Sequence, residues 1–169
     1  HYDVSNAFYG LWLDAGRVYS CAYFEAADDS LEQAQRNKLE HICRKLRLQP
    51  GDRLLDIGCG WGALALLAAQ KFGMKAVGIT LSKNQYELAT QRVAEAGLSD
   101  RVEIRIEDYR DTKGQFDRIT SVGMFEHVGL KNLRNYFGHL HDLLSDGGVC
   151  MNHGITYAGP ATTVLAATR

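Results

Sequence analysis

The stretch "LLDIGCGWGALALLA", residues 54–68, constrains this chain more than any other. It passes from a short apolar β-type segment into a helix-type segment through Gly58, Gly60 and Gly62, three glycines in five residues. Glycine loses more conformational freedom on folding than any other residue, so such a cluster is costly for a mere connection. It is what a backbone needs if it must turn tightly and let a ligand approach its amide groups. Alternation runs on from there. "RLLDI" (53–57) reads as a strand and "WGALALLAAQKF" (61–72) as a helix ended by Gly73; "KAVGIT" (75–80) reads as a strand and "KNQYELATQRVAEA" (83–96) as a helix ended by Gly97. "RVEIRIED" (101–108) and "FDRITSV" (116–122) are strands, "KNLRNYFGHLHDLL" (131–144) a helix ended by "SDGG", and "GVCMNHGI" (148–155) a strand. These lengths predict βαβ units, hence an α/β fold with a mostly parallel, doubly wound sheet. Ligands in such sheets bind beyond the carboxyl ends of the strands, near the switch in strand order. Within "SVGMFEHVG" (121–129), Glu126 falls just past one such end, and His153 falls near another. Apolar residues and glycines surround Glu126, which predicts a buried, unpaired carboxylate at a cost of several kcal/mol.

Upstream, "SLEQ" (30–33) is a capping-box pattern, and Leu31, Ala34, Leu39, Ile42 and Leu46 recur at helical spacing. The same helix carries Arg36, Lys38, Arg44, Lys45 and Arg47, read as a solvated basic face, although a basic helix can also rest on anionic lipid. Seven of the sixteen aromatic residues crowd into the first 24 positions. This divides the chain into an aromatic-rich segment, residues 1–29, expected to act as a lid or as an arm glued down by its rings, and a core, residues 30–169. With 46% apolar and 23% charged residues, the 169-residue chain is long and apolar enough for one domain and excludes disorder. A net charge of −1 gives nucleic acid no reason to bind. No run approaches the roughly 20 apolar residues that span a bilayer. Cys21, Cys43, Cys59 and Cys150 form no CxxC pair and read as reduced thiols, which suits a cytoplasmic protein. His139 and His141, two apart on a helix, point away from each other, so no metal site is expected.

Gly58, Gly60 and Ala63 satisfy the dinucleotide pattern G-x-G-x-x-G/A, but a nicotinamide site also wants an acid roughly 20 residues later. That region reads "VGITLS" (77–82) and has none. The acid stands ahead of the turn instead, as Asp56, where enzymes that use S-adenosylmethionine place a residue that orients the turn and the cofactor's amino-acid end. Cys59 has no base beside it in sequence and reads as a small packing residue.

Taken with "HYDVSNAFYGLWLD" (1–14), "YSCAYFE" (19–25), "VGITLSKNQ" (77–85), "EDYRD" (107–111), "SVGMFEHVG" and "NHGI" (152–155), the glycine turn resembles the cyclopropane-fatty-acid synthase family, which includes the mycolic acid cyclopropane synthases. The resemblance covers nearly the whole chain, and "YSCAYFE" and "GMFEHVG" are its most specific parts. It implies a Rossmann-like class I methyltransferase that uses S-adenosylmethionine. By the same resemblance Tyr19 and Ser20 contact the methionine part, Asp56 orients it, and Gly58, Gly60 and Gly62 form the turn beneath. Thr80 and Gln85 hold the ribose and adenosine region, and Asp108 and Tyr109 flank the adenine. A bicarbonate ion beside the methyl group is implied too, held by Cys21, Glu126, His153 and the backbone at Val122. Glu126 would accept the ion's acidic hydrogen and His153 would donate to its oxygens. The implied substrate is a cis-unsaturated acyl lipid, phospholipid or carrier-bound, with peripheral contact at the inner face of the membrane. The family's catalytic domain continues past "NHGI" with more helix and strand, including a tyrosine that completes the bicarbonate pocket. Tyr157 sits too early to be that residue, so the core reads as truncated at its C-terminus.

The chemistry makes independent demands. An isolated alkene is a poor nucleophile, so the donor methyl must sit within near-attack distance, about 3–3.5 Å. Attack leaves a carbocation, and ring closure requires that water be excluded and one proton removed. Aromatic faces stabilise cations by about 0.5–2 kcal/mol each, and Tyr2 and Tyr19 are the candidates. A histidine base would also serve; the resemblance favours bicarbonate. Two rival readings stand beside this one: a methyltransferase for a small metabolite, or for a lipid without ring closure, and a cofactor-binding module without catalysis. In purely structural terms Glu126 would cap the following helix, His127 would pack, and Asp108 would be a strand-end turn residue.

Overall fold

The computed structural model describes residues 5–156. Its strands are β1 (Arg53–Ile57), β2 (Lys75–Thr80), β3 (Val102–Ile106), β4 (Phe116–Val122) and β5 (Leu144–His153). Its helices are α1 (Asn6–Tyr9), α2 (Leu31–Lys45), α3 (Ala63–Phe72), α4 (Lys83–Glu95) and α5 (Leu133–Leu143). The strands pair in parallel in the order β3-β2-β1-β4-β5. Chain order reverses between β1 and β4, which opens a crevice beyond their carboxyl ends. Register aligns Ile57 with Ile79 and Ser121, and Val122 with His153, so the strand ends form one rim.

The centre of the sheet is covered on both faces, which suits the largely apolar make-up of β1 and β2. Leu54 packs with Leu39 and Ile42 of α2, Leu64 and Ala68 of α3 and Val93 of α4. Its neighbours Leu55 and Ile57 point mostly the other way, toward Tyr136, Leu140 and Leu143 of α5, as strand alternation requires. Asp56 therefore shares the face of Leu54. Below the sheet, at the end away from the rim, Arg118 and Asp52 form an ion pair at 2.9 Å.

Three features depart from the sequence reading. Helix α3 starts at Ala63 because Gly62 sits at φ +82°, a left-handed conformation that cannot continue a helix. The "SDGG" segment is no loop: β5 begins at Leu144, and the register shifts between the pairs Phe116–Leu144 and Arg118–Val149, so the extra residues bulge within the strand. Helix α2 is not basic on its outside alone, since Lys38 is 7% exposed. Its capping box is half made: the Ser30 hydroxyl accepts from Gln33 N at 3.2 Å, while the Gln33 amide turns to Asn37 Oδ1 at 2.6 Å. Among the described residues no helix is long and apolar enough to cross a membrane.

Candidate active site

Past β1 the backbone turns through Gly58, Gly60 and Gly62 at φ +75°, +57° and +82°. The amides of Gly58 and Cys59 both donate to Ile79 O at 3.0 Å, which pins the turn to β2. A Cβ at Gly60 would meet nothing within 4 Å, whereas one at Gly62 would crowd the Ala89 methyl at 3.2 Å. The turn is open toward the rim and closed toward α4.

A cavity of about 610 Å³ lies over this turn. Tyr19, Ser20, Cys21, Asp56, Gly58, Gly60, Thr80, Gln85, Tyr109, Val122, Glu126 and His153 all line it, with Leu39, Ile42, Ile57, Leu64 and Ile79 as apolar wall. Thr80 Oγ1 donates to Gln85 Oε1 at 2.7 Å, and both residues are buried. Gly62 and Asp108 are not on the lining. The Asp108 carboxylate turns back onto Arg110, accepting from its backbone N at 3.0 Å and its Nε at 2.8 Å, and that guanidinium holds the carboxyl below its usual range. Glu107, which the sequence did not single out, lines the cavity next to Tyr109. Tyr2 lies outside the described residues.

Glu126 is not the buried carboxylate its apolar neighbours suggested. Strand β4 ends at Val122, Gly123 reverses the chain at φ +64°, and Glu126 rides exposed on a single 3-10 turn, Phe125–His127. Local polarity cannot report that a strand has ended. Its Oε1 accepts from Ile155 N at 2.6 Å rather than capping a helix. The Gly123 amide donates to His153 O at 2.9 Å, which ties this turn to the end of β5. His153 Nδ1 is buried and has no hydrogen-bond partner among the described residues. The buried acid on the cavity is Asp56: it is 3% exposed, and burial pushes its carboxyl up to about 7. Burial, with Asp56 nearby, also pushes the Cys59 thiol up.

The wall carrying Tyr19, Ser20 and Cys21 is held from two sides. Helix α1 is fixed by Trp61 Nε1 donating to Asn6 Oδ1 at 2.7 Å and by Tyr9 packing on Trp61 and Tyr19, at 4.9 and 5.9 Å between ring centres. From α2, Gln35 Nε2 donates to Val18 O and Ser20 O, both at 3.0 Å. Lys38 Nζ donates to Ser20 O at 3.0 Å and to Ser20 Oγ at 2.7 Å. Neither Gln35 nor Lys38 was singled out as a site residue. A signal existed: 31, 35, 38 and 42 share one helical stripe, and its other members are apolar.

The family model for mycolic acid cyclopropane synthetase matches residues 1–168. A probable fatty acid methyltransferase of Pseudomonas putida is 58% identical over 158 residues, which are 92% of this chain and 40% of that protein. Cyclopropane-fatty-acyl-phospholipid synthase of Escherichia coli K12 is 48% identical over 155 residues, 92% of this chain and 39% of that protein. The crystal structure of a mycolic acid cyclopropane synthase complexed with SAH and CTAB superposes with a TM-score of 0.87 at 41% identity, over 90% of this chain and 53% of that one. A cyclopropane synthase from Mycobacterium tuberculosis gives 0.91 at 38% identity, over 99% and 58%. The chain spans about two fifths of the length of these two curated relatives. Its five parallel strands are those of the class I methyltransferase core that the two superposed structures share. With the match running from residue 1 to residue 168, the chain belongs to the mycolic acid cyclopropane synthetase family.

Proposed function

We propose that the full-length protein transfers a methylene group from S-adenosylmethionine across a cis double bond of an unsaturated acyl lipid, with bicarbonate as base. The observation that carries this reading is one cavity that gathers the glycine turn with Tyr19, Ser20, Cys21, Asp56, Glu126 and His153. Its volume falls within the roughly 300–1,000 Å³ of small-molecule sites. The residues fit the cofactor: the turn is open at Gly60, and a buried carboxylate, Asp56, has no counter-charge beside it among the described residues. Ser20 and Asp56 would hold the amino-acid end, Thr80 and Gln85 the ribose, and Tyr109 the adenine. When bound, the sulfonium supplies an electrophilic methyl group.

Cys21, Glu126, His153 and the Val122 backbone would hold bicarbonate, which supplies a weak base when bound. His153, whose Nδ1 lacks a partner among the described residues, would donate to an oxygen; Glu126 would accept the acidic hydrogen. Leu39, Ile42, Ile57, Leu64 and Ile79 would keep water from the cation, and the half-exposed Tyr19 ring would help to stabilise it. The names of the relatives support an acyl substrate. On this reading the enzyme works in the cytoplasm at the inner membrane face, with exposed Phe8, Leu11 and Trp12 as its apolar contact.

The test is incubation of the full-length protein with S-adenosylmethionine, bicarbonate and vesicles of cis-unsaturated phospholipid. Mass spectrometry should show lipid heavier by one methylene, and Glu126→Gln should slow the reaction by about a hundredfold or more. Unchanged lipid at saturating cofactor would overturn the activity; an unslowed Glu126→Gln would overturn the base-holding site. The Pseudomonas relative's name favours a second reading, methylation without ring closure. Proton NMR separates the two, because that product keeps a new methyl group.

A further inference from the structure

We infer that Lys38 is a cofactor-binding residue, its ammonium held against Ser20 to supply the counter-charge for the carboxylate of an α-amino-acid ligand end in the cavity. The inference rests on the cofactor reading above and extends it to a residue outside the glycine turn. Lys38 rises from α2, is 7% exposed and lines the same cavity as Asp56. Two of its three N–H groups have acceptors, both on Ser20, and among the described residues no carboxylate lies close enough to pair with it. Against that burial, the acidic side chains that raise its pKa are Cys21 first and then Asp14. The Asp14 carboxylate is already engaged by the Gly16 and Val18 amides at 2.8 and 2.7 Å.

Holding the backbone does not require that charge, because Gln35 already donates to Ser20 O. Burying an ammonium without a counter-ion is expensive, and burial here lowers its pKa to about 8. Asp56 is the opposite case on the same cavity, and no ion pair joins the two among the described residues. One cation and one anion, both desolvated and both unpaired, match a zwitterion. A simple anion would answer Lys38 and leave Asp56 unanswered.

The experiment is calorimetry on the full-length protein with S-adenosylhomocysteine and with its analogue lacking the carboxylate. Wild type should prefer the carboxylate ligand by about tenfold or more. Lys38→Met should erase that preference by weakening the carboxylate ligand alone, and Lys38→Arg should restore it. Methionine fills a similar volume without a buried charge, so folding is preserved. Gln35→Leu is the structural control and should weaken both ligands alike. Equal weakening of both by Lys38→Met would reduce Lys38 to a strut and overturn the inference. A raised bicarbonate requirement with the ligand preference intact would assign the charge to the base anion and overturn it too. Failure of wild type to bind either ligand would show before any substitution and would sink the cofactor reading, the Lys38 assignment with it.

Discussion

Asp56 places a carboxylate where the fold least tolerates one, and its titration should be visible in stability. Burial raises its pKa from 3.8 to about 7. Between those values the native state holds a proton that the unfolded chain has lost, so stability falls as pH rises through that window. Below 3.8 both states are protonated and the penalty vanishes. Lys38 acts in a separate window and in the other direction: its pKa is lowered from 10.5 to about 8, so its penalty is relieved as pH climbs from about 8 to 10.5. Asp56→Asn should therefore stabilise the ligand-free protein near pH 8 by a few kcal/mol, at most about 4 at 1.36 kcal/mol per pKa unit. Near pH 3.5 the variant and wild type should differ little. Urea denaturation at the two pH values checks this, and a loss of stability near pH 8 would contradict it. The local sequence pointed to the wrong carboxylate as the buried one. Glu126 has the more apolar neighbours, yet it sits on a turn past the end of β4, while Asp56 sits inside a strand covered on both faces.

At the scale of elements, Gly97 after α4 and Gly62 in the glycine turn separate two costs that sequence alone lumps together. A non-glycine residue in the left-handed region costs roughly 1–2 kcal/mol. Gly97, at φ +68°, has open space where a side chain would go, so Gly97→Ala should lose about that much and no more. Gly62 adds a clash with Ala89, so Gly62→Ala should lose about 1–3 kcal/mol more. Chemical denaturation of both variants tests the difference; equal losses would show that α4 does not press on the turn. Strands β1, β2 and β4 were legible to the residue, because each is a short segment rich in β-branched and apolar residues that glycine or charge bounds. Helix α2 was legible as a helix but not as a wall of the site. Its buried Gln35 and Lys38 look polar in sequence, and only their phase on the apolar stripe reveals where they point.

For the whole molecule, the cavity draws its lining from segments far apart in the chain: 17–21, 38–42, 56–64, 79–85, 107–109 and 122–127, with His153 and Ile155. One ligand seated there must couple them. S-adenosylhomocysteine at a hundred times its dissociation constant should add about 2.7 kcal/mol to stability. Hydrogen exchange should slow together in peptides covering 17–22, 56–64, 79–86 and 122–127, and stay unchanged at the turn 97–101. Protection confined to the glycine turn would contradict a shared site. The alternation of strands and helices, the turn and the family could be read from the chain alone, since periodicity and short motifs are local properties that one segment carries. The tertiary structure alone decided which carboxylate is desolvated, that Lys38 faces inward onto Ser20, and that Glu107 rather than Asp108 meets the cavity. Burial and pairing depend on what other segments place alongside a residue, and no stretch of sequence contains its own neighbours in space.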